Sequence, residues 1–201
     1  MMSKGPFNVP IALASKESLQ GFGTIVTDFE NTRVEKRPWP VEGWRKARKG
    51  TDIIPGEDVF EITYARNEQG ITMKKERGRL NEIGRLTKTS CSNEEVTSVL
   101  VQEMTYHPDC GEVFFPKNGD AFIGLFAPPG DDFDPATVRA FYFDGSFGVQ
   151  CHPNVWHQGM YILQDEAIMK GKQGPLHLCI TIDVVEELGQ YLSVPLQKPC
   201  Q

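Results

Sequence analysis

The chain has 201 residues, 39% of them hydrophobic and 24% charged, which is enough apolar material for one ordinary globular core and too much for a disordered chain. With 21 basic against 27 acidic residues the net charge is -6, so nucleic acid is not an expected partner. No apolar stretch approaches the ~20 residues needed to span a bilayer, and no membrane partner is expected.

The opening residues, MMSKGPFNVPIALASKESL, do not read as a secretory signal. Ser15 to Gly21 is predicted as a short N-terminal helix, with Ser15 as N-cap and Gly21 and Gly23 as stop signals. Strands are predicted at Gly21–Thr27, Val59–Ala65, Val96–Tyr106, Glu112–Pro116, Ala121–Ala127, Val138–Asp144, Gln158–Leu163 and His177–Asp183, all rich in Val, Ile, Phe, Tyr and Thr. Between them Pro38-Trp39-Pro40, Asn118-Gly119, Pro128-Pro129-Gly130 and Asp144-Gly145 mark turns. The charged stretch Arg66–Ser92 reads as a hairpin or a solvent-exposed excursion. Many short strands with close turns predict an all-β fold, an antiparallel sandwich or barrel, with no composition break that divides residues 1–201 into domains.

Five cysteines, Cys91, Cys110, Cys151, Cys179 and Cys200, form an odd set without a CxxC pair. That excludes a disulfide framework or zinc knuckle and fits a reducing, cytoplasmic setting. Of four histidines, three fall between His107 and His157. On the strand ending at His107, odd positions share a face, so Glu103, Thr105 and His107 lie together. His107, Glu112 and Gly119 are in register with the cupin frame H-x-H-x4-E-x6-G, with Thr105 at the first His position. His157 takes the ligand position of a second cupin-like block that begins at His152. Two imidazoles and a carboxylate suit Ni, Mn, Zn or Fe and leave positions open for substrate. His177, between Leu176 and Leu178 in another strand, reads as structural. There is no phosphate loop, dinucleotide fingerprint or nucleophile elbow, so no organic cofactor is expected.

Gly148-Val149-Gln150-Cys151-His152-Pro153-Asn154-Val155-Trp156-His157 resembles the G-V-x-x-H-x-N-V-W-H signature of the ureidoglycolate lyase family. The segments ALASKESLQGFGTIV from Ala12, EMTYHPDCGEVFFP from Glu103 and LCITID from Leu178 are similar to further family blocks in the same order. The resemblance implies a cupin-like antiparallel β-barrel of the jelly-roll kind, a homodimer, and cleavage of ureidoglycolate to glyoxylate and urea late in allantoin breakdown, with nickel or another divalent ion in some members. Glu112 stands where the family has Gln, which restores the cupin carboxylate. Residues 32–93 match the family poorly and read as a divergent or inserted segment whose Trp39, Trp44 and Arg45 would reshape the pocket mouth. A divergent branch acting on another small hydroxy or keto acid, as isomerase, hydrolase or oxygenase, is the alternative.

Cleavage requires the substrate hydroxyl to lose a proton and the leaving urea nitrogen to gain one. A metal on His107, Glu112 and His157 would lower the hydroxyl pKa. His152 is then the candidate general acid or base, or else orients His157. Glu103 reads as an additional ligand, a base or a buried hydrogen-bond partner. Without metal, Glu112 acts as the acid or base itself. Lys117 would meet the carboxylate of a small anionic substrate, or stay solvated. Asn154 would donate its amide to the substrate, or hold a tight turn at positive φ. Trp156 alternates with His157 and is expected on the packing side.

Overall fold

The computed structural model describes residues 5–38, 51–55, 59–75, 79–91, 94–130, 133–174 and 176–199; Trp39, Trp44 and Arg45 lie outside these, as does the side chain of His177. The first strands are β1 (Phe7–Asn8), β2 (Ile11–Leu13), β3 (Gly23–Val26), β4 (Thr51–Pro55), β5 (Phe60–Arg66), β6 (Gly70–Lys75), β7 (Asn81–Cys91), β8 (Glu94–Val101) and β9 (Glu103–Tyr106). After them come β10 (Glu112–Pro116), β11 (Phe122–Ala127), β12 (Arg139–Phe143), β13 (Gly148–Cys151), β14 (Trp156–Ile162), β15 (Glu166–Lys172), β16 (Leu176–Asp183), helix α1 (Val184–Leu188) and β17 (Leu192–Pro195).

The strands form two sheets, one ordered β1-β17-β8-β7-β6-β5-β15-β10-β13-β3 and the other β2-β12-β11-β14-β9-β16-β4. Pairing is antiparallel except where β1 joins β17 and β2 joins β12. This is the all-β fold expected from the sequence, consistent with a cupin-like barrel. Period-two patterning drives it: in β5, Phe60, Ile62 and Tyr64 are buried while Thr63 and Ala65 face out. In β11 every residue of Phe122–Ala127 is buried, as befits a strand covered on both faces. One hydrophobic cluster joins the sheets, including Tyr64, Ile71 and Ile83 from the large sheet and Ile123, Met160 and Tyr161 from the small one.

Two expectations are corrected and a third is narrowed. Ser15–Gly21 is a run of turns and no helix. Ser15 and Ser18 cap each other, Ser18 N–H to Ser15 Oγ at 3.1 Å and Ser15 N–H to Ser18 Oγ at 2.9 Å. Gly21, at φ 86°, then ends the segment before a second helical turn can form. The helix lies instead at Val184–Leu188, where Asp183 Oδ1 accepts from Val185 and Glu186 N–H at 2.8 Å and Gly189 closes the end at φ 71°.

The second correction concerns Val96–Tyr106, which is two strands. The chain breaks at Gln102 and crosses from the large sheet to the small one, because β8 pairs with β17 while β9 pairs with β16. Gln102 is held there by its Nε2 donating to Asp183 Oδ2 at 2.6 Å and by its carbonyl accepting from Val184 N–H at 2.7 Å.

The third concerns Arg66–Ser92, whose described part is the hairpin and not the excursion, with β6 and β7 paired antiparallel. β5, β6 and β7 form a meander inside the large sheet. Within it Lys74 and Glu82 are exposed while Ile71 and Ile83 join the core.

Candidate functional site

Three strands of different origin meet at one point. β14 lies beside β9 with His157 directly opposite Thr105, so the two side chains share a face. His107 follows β9, and the turn through Gly111 leads into β10 at Glu112. That turn needs a glycine: a Cβ on Gly111 would lie 2.3 Å from the Cys151 carbonyl oxygen. From the other side, the turn at His152–Val155 returns the chain to β14. Asn154 takes φ 68° there, and its N–H donates to the His107 carbonyl at 2.8 Å. Asn154 therefore ties the two histidine-bearing segments together through its backbone, as the tight-turn reading expected.

His107, Glu112 and His157 are each 5% exposed. Glu112 Oε2 stands 3.3 Å from His107 Nε2 and 3.1 Å from His157 Nε2. Burial alone would raise the Glu112 pKa. The hydrogen bonds and charges of His107 and His157 outweigh it and hold the carboxyl well below its usual range, so it is ionised.

The proton positions on His157 bear on what this cluster holds. Its Nδ1 lies 2.9 Å from the Val155 carbonyl, which only accepts, so Nδ1 carries the proton. Nε2 faces Glu112 Oε2 at 3.1 Å, a separation at which a proton or a cation lies between them. A carbonyl on the far nitrogen is also the usual support of a metal-ligating imidazole. One ligand atom from each of the three residues lies within 4.8 Å of the others, so the donor set and its convergence fit a metal ion.

The cluster opens into a cavity of about 430 Å³ whose other walls include Ile62, Tyr64, Phe114, Thr105 and Gln158. Thr105 Oγ1 is 3.0 Å from Thr181 Oγ1 on the neighbouring strand. Trp156 turns to the packing side, donating from Nε1 to the Gly130 carbonyl at 2.8 Å and packing edge-on against Tyr106.

The other sequence-predicted residues are not brought to this cavity. His152 is one-third exposed and its Nδ1 pairs with Glu35 Oε2 at 2.7 Å, away from the lining residues. Lys117 pairs with Glu61 at 2.8 Å on the outside of the sheet. Glu103 shares its face with Thr105 but lines a separate cavity of about 280 Å³ with Arg85 and Gln102. Sequence reasoning missed Met73, Lys75, Asn81 and Gln173, which all line the histidine cavity. The alternation in Gly70–Lys75 was a signal, hidden by the charges around it.

Curated proteins named ureidoglycolate lyase from Salmonella paratyphi B and Salmonella typhimurium are 39% identical to the chain over 66 residues, and one from Salmonella enteritidis is 38% identical. Those residues make up 33% of this chain, and the chain spans 41% of the length of these relatives. The family model for ureidoglycolate lyase matches residues 8–170, a span that contains the meander, both turns and all three members of the buried cluster. By that match the chain belongs to the ureidoglycolate lyase family.

Proposed function

We propose that the protein cleaves ureidoglycolate to glyoxylate and urea, with His107, Glu112 and His157 holding a divalent ion such as Ni, Mn, Zn or Fe. The observation that carries this reading is the convergence of a buried carboxylate and two imidazole nitrogens inside the family-matched span. In the reaction the carbinol O–H loses its proton, the C–N bond to urea breaks, its electron pair leaves with nitrogen, and nitrogen takes up a proton. When bound, the ion would supply Lewis acidity to the substrate hydroxyl.

The chain's own groups do the rest. The Val155 carbonyl fixes the tautomer and aim of His157. Asn154 fixes the spacing between the His107 and His157 segments. Glu112 Oε2 is the ionised oxygen nearest both rings and holds their aim. Ile62, Met73 and Phe114 keep the cavity wall apolar and limit water. His152, bonded to Glu35 outside the cavity, is left out of the chemistry in this reading, as is Lys117.

The reading extends to a place in allantoin breakdown, a cytoplasmic setting and a homodimer, the last checked by sedimentation. Among the described residues no helix is long and apolar enough to cross a membrane. The direct test adds purified protein to ureidoglycolate with each of the four metals and follows glyoxylate and urea. Turnover in the wild type, a loss on the order of 100-fold or more in His157→Ala, and parallel loss of metal by elemental analysis are expected. No turnover with any of the metals overturns the reading.

A further inference from the structure

A protein of net charge -6 that takes a small anion needs a cation placed locally, and Lys117 does not supply it. Most of the strand lysines near the site are already committed. Lys117 pairs with Glu61 at 2.8 Å and Lys170 with Glu30 at 3.1 Å. Lys172 is buried, donating to the carbonyls of Glu30 at 3.0 Å and Thr32 at 3.1 Å and also to that of Phe29.

Lys75 differs. Among the described residues that line the histidine cavity it is the one lysine or arginine. The β5–β6 register places it there, with Lys75 opposite Ile62 and Met73 opposite Tyr64, and all four line the cavity. Its ammonium is held by neutral groups, 4.1 Å over the Phe60 ring and 3.4 Å from Gln173 Oε1. Gln173 is itself 4% exposed and lines the same cavity. Among the described residues Lys75 forms no ion pair with a carboxylate. A ring face and a long amide contact orient the ammonium without neutralising it. It therefore meets an incoming carboxylate as a full positive charge in a largely apolar cavity.

We infer that Lys75, steadied by Phe60 and Gln173, binds the carboxylate of the substrate while the reacting end reaches His107, Glu112 and His157. This rests on the proposed function for the identity of the substrate. It also gives the segment 32–93 a role in the site. There β5 and β6 build the cavity wall opposite the histidines and supply the charge that selects an α-hydroxy carboxylate over its amide.

The test uses Lys75→Met, which keeps the stem on Phe60, Lys75→Arg, which keeps the charge, and thermal unfolding to confirm that both fold. With ureidoglycolate, Lys75→Met should raise KM on the order of 10- to 100-fold with kcat within about 3-fold, and Lys75→Arg should recover part of the loss. Independently of turnover, calorimetric titration with glyoxylate and glycolate should show binding to wild type that Lys75→Met weakens to a similar extent, while uncharged glycolamide binds both equally weakly. Cleavage with KM unchanged in Lys75→Met overturns the carboxylate anchor and leaves the lyase reading standing. Lys75-dependent glyoxylate binding without ureidoglycolate cleavage does the reverse. If wild type binds no carboxylate and its turnover is insensitive to Lys75, the anchor is overturned.

Discussion

Asn154 bears a cost that its position repays. A non-glycine residue at φ 68° costs free energy, yet here the backbone N–H reaches the His107 carbonyl at 2.8 Å and the turn delivers His157. Asn154→Gly should leave stability within about 1 kcal/mol, whereas Asn154→Val should lose about 1–3 kcal/mol by denaturant unfolding and lower metal affinity with it. Glu112 makes a second residue-scale expectation. Its pKa is lower folded than unfolded, so it adds stability above its unfolded value of about 4.3 and loses that contribution as pH falls towards the folded value. In metal-free protein, urea midpoints measured between about pH 3 and pH 7 should fall less steeply on the acid side in Glu112→Gln than in wild type. Of the candidate residues, His107 and Glu112 were legible from their short spacing, and His157 from the motif block that begins at His152. His152 and Lys117 were not, because their partners Glu35 and Glu61 lie far away in sequence and only the folded sheet brings them near.

At the scale of elements, apolar alternation reads through and charge hides it. β5, β10 and β11 stand close to their predicted limits, β6 and β7 lie in the stretch read as a hairpin or an excursion, and β15 escaped notice because a glutamate and lysines interrupt its apolar pattern. The break at Gln102 was equally invisible. Nothing in the run from Val96 to Tyr106 interrupts the strand pattern, and the partners that split it, Asp183 and Val184, come from α1's entry turn. The β15–β5 pairing also carries a packing expectation. Gly171 lies opposite Phe60, and a Cβ there would stand 2.2 Å from the ring. Gly171→Ala should destabilise by about 1–3 kcal/mol in chemical unfolding, since the ring under Lys75 must move.

For the whole molecule, the two sheets share a core tight enough to silence chemistry inside it. Cys110 is pushed up to about 12, first by burial and then by Asp109 and Glu112, and Cys151 is likewise raised by burial and Glu112. At about pH 8, neither thiol should be alkylated within minutes in folded protein, while both label fully after denaturation; peptide mass spectrometry reads the difference. Rapid labelling of either in the native state would mean that the sheets part on that timescale. The all-β character and the histidine pairing were readable from the sequence. The strand order was not, since it depends on which edges meet across the whole chain.

That strand order has a consequence for synthesis. In the large sheet β15, residues Glu166–Lys172, is wedged between β5 and β10. On the ribosome the β5–β7 meander emerges long before its neighbour, and its inner edge stays open until most of the chain has been translated. A nascent chain in this state offers a bare strand to any other copy nearby. Chaperone demand and yield at high expression should both depend on that late arrival.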